Sequence, residues 1–188
     1  MIDDKNKIIF VHIPRTSGTS IEHFMRDDMS KYKDIVKHSN AQGLYNAVGK
    51  DKWKEYFKFS ITRNPYDIVV SLYLAYAFRS INIIAGKTFK YFLNHYEPYP
   101  WEHGFTCFDY LNRDDLDHVG EFKKRDETIK IIKEKTGLDI DKSTRIQAIQ
   151  AKQENPKHYT EYYDDKTREI VAEKYAKDIE YFGYEFGE

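Results

Sequence analysis

IIFVHIPRTSGTS (residues 8–20) is the stretch on which the fold of this chain turns. Apolar residues run from Ile8 to Ile13 and stop at Pro14, the pattern of a short parallel strand buried on both faces. Residues 19–28 follow with Ile21, Phe24 and Met25 on one helical face. A strand, a tight turn and a helix start make a ready anion site. The first N–H groups of the helix have no intrahelical partner, and its dipole favours negative charge. Arg15 adds a guanidinium, Thr16, Ser17, Thr19 and Ser20 add hydroxyls, and Gly18 lets backbone approach a ligand closely. This is the chemistry of a phosphate or sulfate cradle. It is not the G-x-x-x-x-G-K-[ST] phosphate loop: Thr19 follows Gly18 where that motif has lysine, and no glycine stands five residues earlier. The competing reading is a capped turn whose hydroxyls face solvent.

Outward from this loop, FKFSITRNPYDIVVSLY (residues 57–73) repeats the pattern. A strand at 57–62 ends at Arg63, and Asn64-Pro65 starts a helix running to about residue 79, with Asn as N-cap and Pro in the first turn. Arg63 and Ser71 can reach one sheet edge, where an arginine fork and a hydroxyl suit a second phosphate group. The alternative is that Arg63 pairs with Asp67 while Ser71 packs. Further strands are expected at 34–37 and, more weakly, at 118–122. Helices are expected at 41–48 with Gly49 as C-cap, at 89–95, at 126–135 closed by Gly137, and at 164–182, capped by Asp164 and stopped by Gly183. Residues 143–158 are polar and ambiguous. Strands alternating with helices argue for a single domain over 1–188, an α/β fold of three layers with a mainly parallel sheet.

Composition narrows the function classes. A length of 188 residues is enough to bury a core without disulfides or metals. The single cysteine, Cys107, fits a reducing compartment and reads as a packed side chain. The formal net charge of −1 provides no global field for nucleic acid or an anionic membrane, so an anion must be gripped locally. The opening MIDDKNK lacks the apolar run of a signal peptide, and no stretch approaches the roughly 18 apolar residues of a membrane span, so a cytoplasmic protein is expected. Sixteen tyrosines and 12 phenylalanines are mostly core and edge packing, with a minority available to stack on a ligand.

Together the two loops resemble the sulfotransferases that use 3′-phosphoadenosine 5′-phosphosulfate (PAPS). FVHIPRTSGTS resembles their 5′-phosphosulfate loop, F-x-H-x-P-K-T-[AG]-G-[TS]-[ST], and TRNPYDIVVSLY resembles their 3′-phosphate motif, R-[ND]-P-[YW]-[DE]-R-x-x-S-x-[YF]. The likeness is greatest to the carbohydrate-type branch, which includes the Golgi heparan and chondroitin enzymes and small bacterial relatives. HVGEF (118–122) resembles a later segment, x-x-[IV]-G-R-F-E, and the ending from His158 resembles the family's C-terminal helix and tail. The chain departs from the pattern at Arg15, which replaces the loop lysine, at Ile68, where arginine is frequent, and at Glu121 and Lys123.

The resemblance implies a P-loop-like sulfotransferase fold and transfer of a sulfuryl group from PAPS to an acceptor hydroxyl, with PAP as product and no metal required. It implies that residues 16–20 hold the 5′-phosphosulfate, that Arg15 stabilises charge on the bridging oxygen, and that Arg63 and Ser71 bind the 3′-phosphate. The acceptor it favours is a carbohydrate or small alcohol. Such an acceptor needs a base, and His38, at the end of the expected strand 34–37, is the candidate: an ordinary imidazole near 6.5 suits the task. A histidine in an H-[ST]-x-A context occurs at a similar place in carbohydrate-type relatives. The alternative is that His38 caps the helix from Ala41. Glu22 is a lesser candidate, and His12, inside the first strand, resembles the family histidine there and reads as a structural, hydrogen-bonding residue. Tyr96, Tyr99 and Trp101 form either an acceptor platform or a lid over the core, and residues near Lys152 and Lys157 are weak candidates to close over the nucleotide. His95, His103 and His118 lack metal-ligand spacing. Two other classes stay open: a small nucleotide kinase with a divergent phosphate loop, and a non-catalytic module binding an adenosine phosphate.

Overall fold

The computed structural model describes residues 1–18, 21, 24–25, 28–33, 35–78, 86–95, 106–138 and 157–188. The chain divides into two compact units, Met1–Arg63 with Trp101–Arg145, and Asn64–Pro100 with Ile146–Glu188.

The first unit carries the sheet. Its four strands, β1 (Ile2–Asp3), β2 (Ile8–Val11), β3 (Phe57–Thr62) and β4 (His118–Glu121), lie in the order β1-β2-β3-β4. β1 turns back antiparallel onto β2, while β2–β3 and β3–β4 are parallel, so the sheet is mostly parallel, as the alternation of strands and helices predicts. Alternate residues of a strand share a face. Ile8 and Phe10 of β2 therefore line up with Phe59 and Ile61 of β3, in register Phe10 to Phe59, with those two rings stacked at 4.8 Å. Ile21, Met25, Ile129 and Ile132 close this core. The last two come from α5 (Arg125–Thr136), which ends at Gly137 in the left-handed conformation. α1 (Ala41–Glu55) connects β2 to β3, and a short helix, α4 (Cys107–Tyr110), precedes β4. The result is the three-layer α/β arrangement.

Two expectations change here. Residues 35–37 form no strand, because Val36 is 53 % exposed and finds no sheet neighbour. A closed turn takes their place: the Val36 N–H donates to Ser39 Oγ and the Ser39 N–H to the Val36 carbonyl, both at 2.9 Å. The helix expected at 41–48 continues to Glu55, with Gly49 as a kink rather than an end.

The second unit is helical and aromatic. α2 (Pro65–Phe78) starts beneath Asn64, whose side chain accepts from the Tyr66 N–H at 3.1 Å, as the Asn-Pro pair predicts. α3 (Phe89–His95), α6 (Asp165–Lys174) and α7 (Ala176–Phe182) complete it. Its rings pack edge to face, among them Tyr66 on Phe186 and Phe89 on Tyr163, and the half-buried Tyr163 donates its hydroxyl to the Tyr66 carbonyl. The single long helix expected over 164–182 is broken at Tyr175, which leaves helical geometry (φ −111°, ψ 23°) while its ring is buried. Asp164 caps α6 and Gly183 closes α7, as expected. Among the described residues, no helix is long and apolar enough to cross a membrane.

Candidate active site

β2 ends at Val11, and the chain passes through His12 and Ile13 into the loop. The loop backbone is unusual. Arg15 (φ 66°) and Ser17 (φ 80°) both occupy the left-handed region that non-glycine residues seldom adopt. Such backbone persists where its surroundings fix it. Here Thr16 is fully buried, and its hydroxyl donates to the Ile13 carbonyl at 2.8 Å. Its side chain therefore braces the loop instead of offering a hydroxyl to an anion. Arg63, at the end of β3, donates from Nη1 to the Arg15 carbonyl at 2.8 Å. The Ile21 N–H donates to the Ser17 carbonyl at 3.3 Å; most of the helix expected at 19–28 lies outside the described residues, and Phe24 and Met25 are not helical.

Arg63 is 6 % exposed, and its guanidinium carbon lies over the Phe122 ring, 4.0 Å from the ring centre. Phe122 thus supports the arginine, a role that the sequence reading did not assign. The signal was available: Phe122 keeps the resemblance of the HVGEF segment, as Val119 and Gly120 do, while its neighbours Glu121 and Lys123 depart. Within that segment the backbone at Gly120 passes so close to Thr128 that a Cβ would lie 1.9 Å from Thr128 Oγ1.

The turn at 36–39 delivers His38 to the loop. Its Nδ1 lies 3.0 Å from the His12 carbonyl. A carbonyl only accepts, so Nδ1 carries the proton and Nε2 the lone pair. The helix from Ala41 is capped instead by Asn40, whose side chain accepts from the Gly43 N–H at 2.8 Å. Capping therefore does not explain His38. The His12 and His38 rings meet edge to face with centres 4.5 Å apart. Burial, reinforced by the nearby positive charges of His38, the amino terminus and Lys37, pushes the His12 imidazole down to about 2. It is neutral at any physiological pH.

The structure thus brings together Arg15, Thr16, Ser17, Gly18, His38 and Arg63. Ser71 is buried in α2 of the second unit. Thr19, Ser20, Glu22, Tyr96, Tyr99, Trp101, His103 and Lys152 lie outside the described residues, and Lys157 is exposed. His95 bonds the Tyr91 carbonyl one turn back, and His118 meets Thr128. Among the described residues, no group of three or more side chains is arranged to hold a metal ion.

A family model described as "Sulfotransferase family" matches residues 1–104, more than half of the chain and the part that holds the loop, His38 and Arg63. The chain belongs to the sulfotransferase family. The fold of this sulfotransferase is similar to that in the crystal structure of mouse sulfotransferase SULT7A1 complexed with PAP. The TM-score is 0.58 at 16 % identity, over 95 % of this chain and 86 % of the mouse chain. At that identity the likeness concerns the fold. No curated protein matches the sequence.

Proposed function

We propose that this sulfotransferase moves a sulfuryl group from PAPS to an acceptor hydroxyl by in-line displacement, leaving PAP. The observation that carries the reading is the Nδ1 bond of His38 to the His12 carbonyl, which orients a base beside an anion loop. The residues fit the donor chemically: a left-handed loop at a helix start and two arginines suit a nucleotide with phosphate at one end and phosphosulfate at the other. The donor supplies a sulfuryl group on an already stable phosphate leaving group.

Backbone N–H groups of residues 16–20 hold the phosphosulfate. Arg15 balances charge on the bridging oxygen; with a pKa above about 12 it stabilises that charge without giving up a proton. His38 Nε2 accepts the acceptor's proton as the new S–O bond forms and the bond to phosphate breaks. Catalysis is then mainly placement and electrostatics, as in phosphoryl transfer. Arg63 binds the 3′-phosphate by the motif resemblance, its guanidinium supplying charge and a fork geometry suited to phosphate. Ser71 joins it by the motif resemblance. The mouse protein's complex with PAP supports the nucleotide class. The carbohydrate-type resemblance favours a carbohydrate or small alcohol as acceptor.

Calorimetric titration with PAP beside AMP and ATP, repeated with Arg63→Ala, tests this. PAP alone should bind, and the variant should lose at least about a hundredfold in affinity, since it removes both a charge-assisted contact and the bond to the Arg15 carbonyl. Preference for ATP with Mg²⁺ would instead favour a kinase. PAP binding with turnover unchanged by His38→Ala would favour a module without a base.

A further inference from the structure

The candidate site contains a group that the mechanism above does not use. His12 is 3 % exposed, and its Nδ1 has no hydrogen-bond partner among the described residues. Leaving a buried ring nitrogen unbonded is unfavourable, so an imidazole here calls for a reason other than stability. The geometry supplies one. His12 continues the inward face of β2, stacked on Phe10 at 5.4 Å. The loop returns against its ring at Gly18. A Cβ built on Gly18 would lie 1.6 Å from His12 Nε2 and 1.9 Å from Cδ2. Only glycine fits above the ring, and a flat ring lets the backbone settle lower than a branched aliphatic side chain would. The same residue gives its carbonyl to His38 Nδ1 and its ring edge to the His38 ring.

We propose that His12 is the positioning residue of the site: its ring sets the seat of the anion loop at Gly18, and its carbonyl and ring together orient His38. Base and loop are thereby referred to one buried residue just past the end of β2. Its neutrality fits the role, because a cationic ring 4.5 Å from His38 would oppose the proton that His38 must accept. This inference rests on the proposed function for its kinetic consequences, but not for the packing itself.

The test uses four proteins: wild type, Gly18→Ala, His12→Ala and the double variant, with His12→Asn as a second partner for Gly18→Ala. Each is checked by far-UV circular dichroism and thermal melting. Gly18→Ala should melt lower than wild type and lose PAP affinity by about a hundredfold, as loops displaced by an ångström do. Removing the ring should relieve the overlap, so the double variant should melt above Gly18→Ala and regain at least about tenfold in KM for PAPS. Its kcat per folded molecule should stay low, because the ring beside His38 is gone; a purely structural role would lower only the apparent kcat, in proportion to the folded fraction. A double variant no better than Gly18→Ala in melting, with either His12 replacement, overturns the inference. Recovery of kcat along with KM overturns the orienting role. If wild type fails to bind PAP, the proposed function falls, while the melting temperatures still decide whether ring and glycine are coupled.

Discussion

The Nδ1 proton of His38 is held by a carbonyl of the main chain, which neither titrates nor swings away. A carboxylate in that place would fix the same tautomer but also add negative charge and stabilise the imidazolium. The carbonyl gives orientation alone, which suits a reaction whose leaving group is already stable and whose base need only be correctly aimed. In the proposed mechanism His38→Gln should therefore lower kcat by about 10² to 10⁴ while PAP affinity changes by less than about threefold, because the proposed base acts on the acceptor's proton and not on the nucleotide. Single-turnover assays alongside PAP titration separate the two. A variant retaining more than about a tenth of the wild-type rate would remove His38 from the base's role.

α1 shows how an element can be half read. Its start at Ala41 is legible, although the cap is Asn40 and not His38, and Ala41 and Leu44 are buried. Gly49 also reads as an end, and locally it is one: its φ of 78° and ψ of 165° lie where glycine alone is comfortable. The helix then resumes, because Trp53 is buried and donates from Nε1 to Asp115 at 3.0 Å. That tertiary partner, 62 residues away, leaves no trace in the local pattern. The break at Tyr175 is hidden for the same reason, since neither proline nor glycine marks it. A Cβ on Gly49 would meet nothing within 4 Å, so any effect of Gly49→Ala is backbone strain. Urea denaturation should show a loss of about 1–3 kcal/mol, with PAP affinity preserved. Stabilisation instead would mean that the helix runs straight through and that helix propensity outweighs the kink.

At the scale of the molecule, β2, β3 with the helix that follows it, and the places of Arg15 and Arg63 after the strand ends were legible because they rest on local chemistry: period, proline, glycine and charge; most of the helix expected at 19–28 lies outside the described residues. The seating of Gly18 on His12 was not, since a six-residue separation says nothing about which ring lies beneath which backbone. Yet that contact leaves a mark on the stability of the whole fold. The unfolded chain's His12 takes up a proton near 6.5, whereas the folded chain holds it down to about 2 by burial. Below pH 6.5 the unfolded state binds more protons, so stability is intact above that pH and falls as pH drops towards 2. One such group costs about 1.4 kcal/mol per pH unit, or about 3 kcal/mol between pH 6.5 and 4.5. His118, also lowered by burial, acts in the same direction. Asp4 enters later. Burial alone would raise it, but hydrogen bonds from Tyr32, Tyr56 and Lys52 outweigh that and hold it at about 2, so its loss falls between about pH 4 and pH 2. Urea midpoints measured from pH 7.5 to 4.5 should therefore decline from about pH 6.5 downward in wild type. In His12→Asn the decline should be shallower by about 1 kcal/mol per unit, even though that variant starts less stable. Parallel curves for the two proteins would mean that the His12 ring is protonated in the folded state, and would leave the neutral ring beneath Gly18 without support.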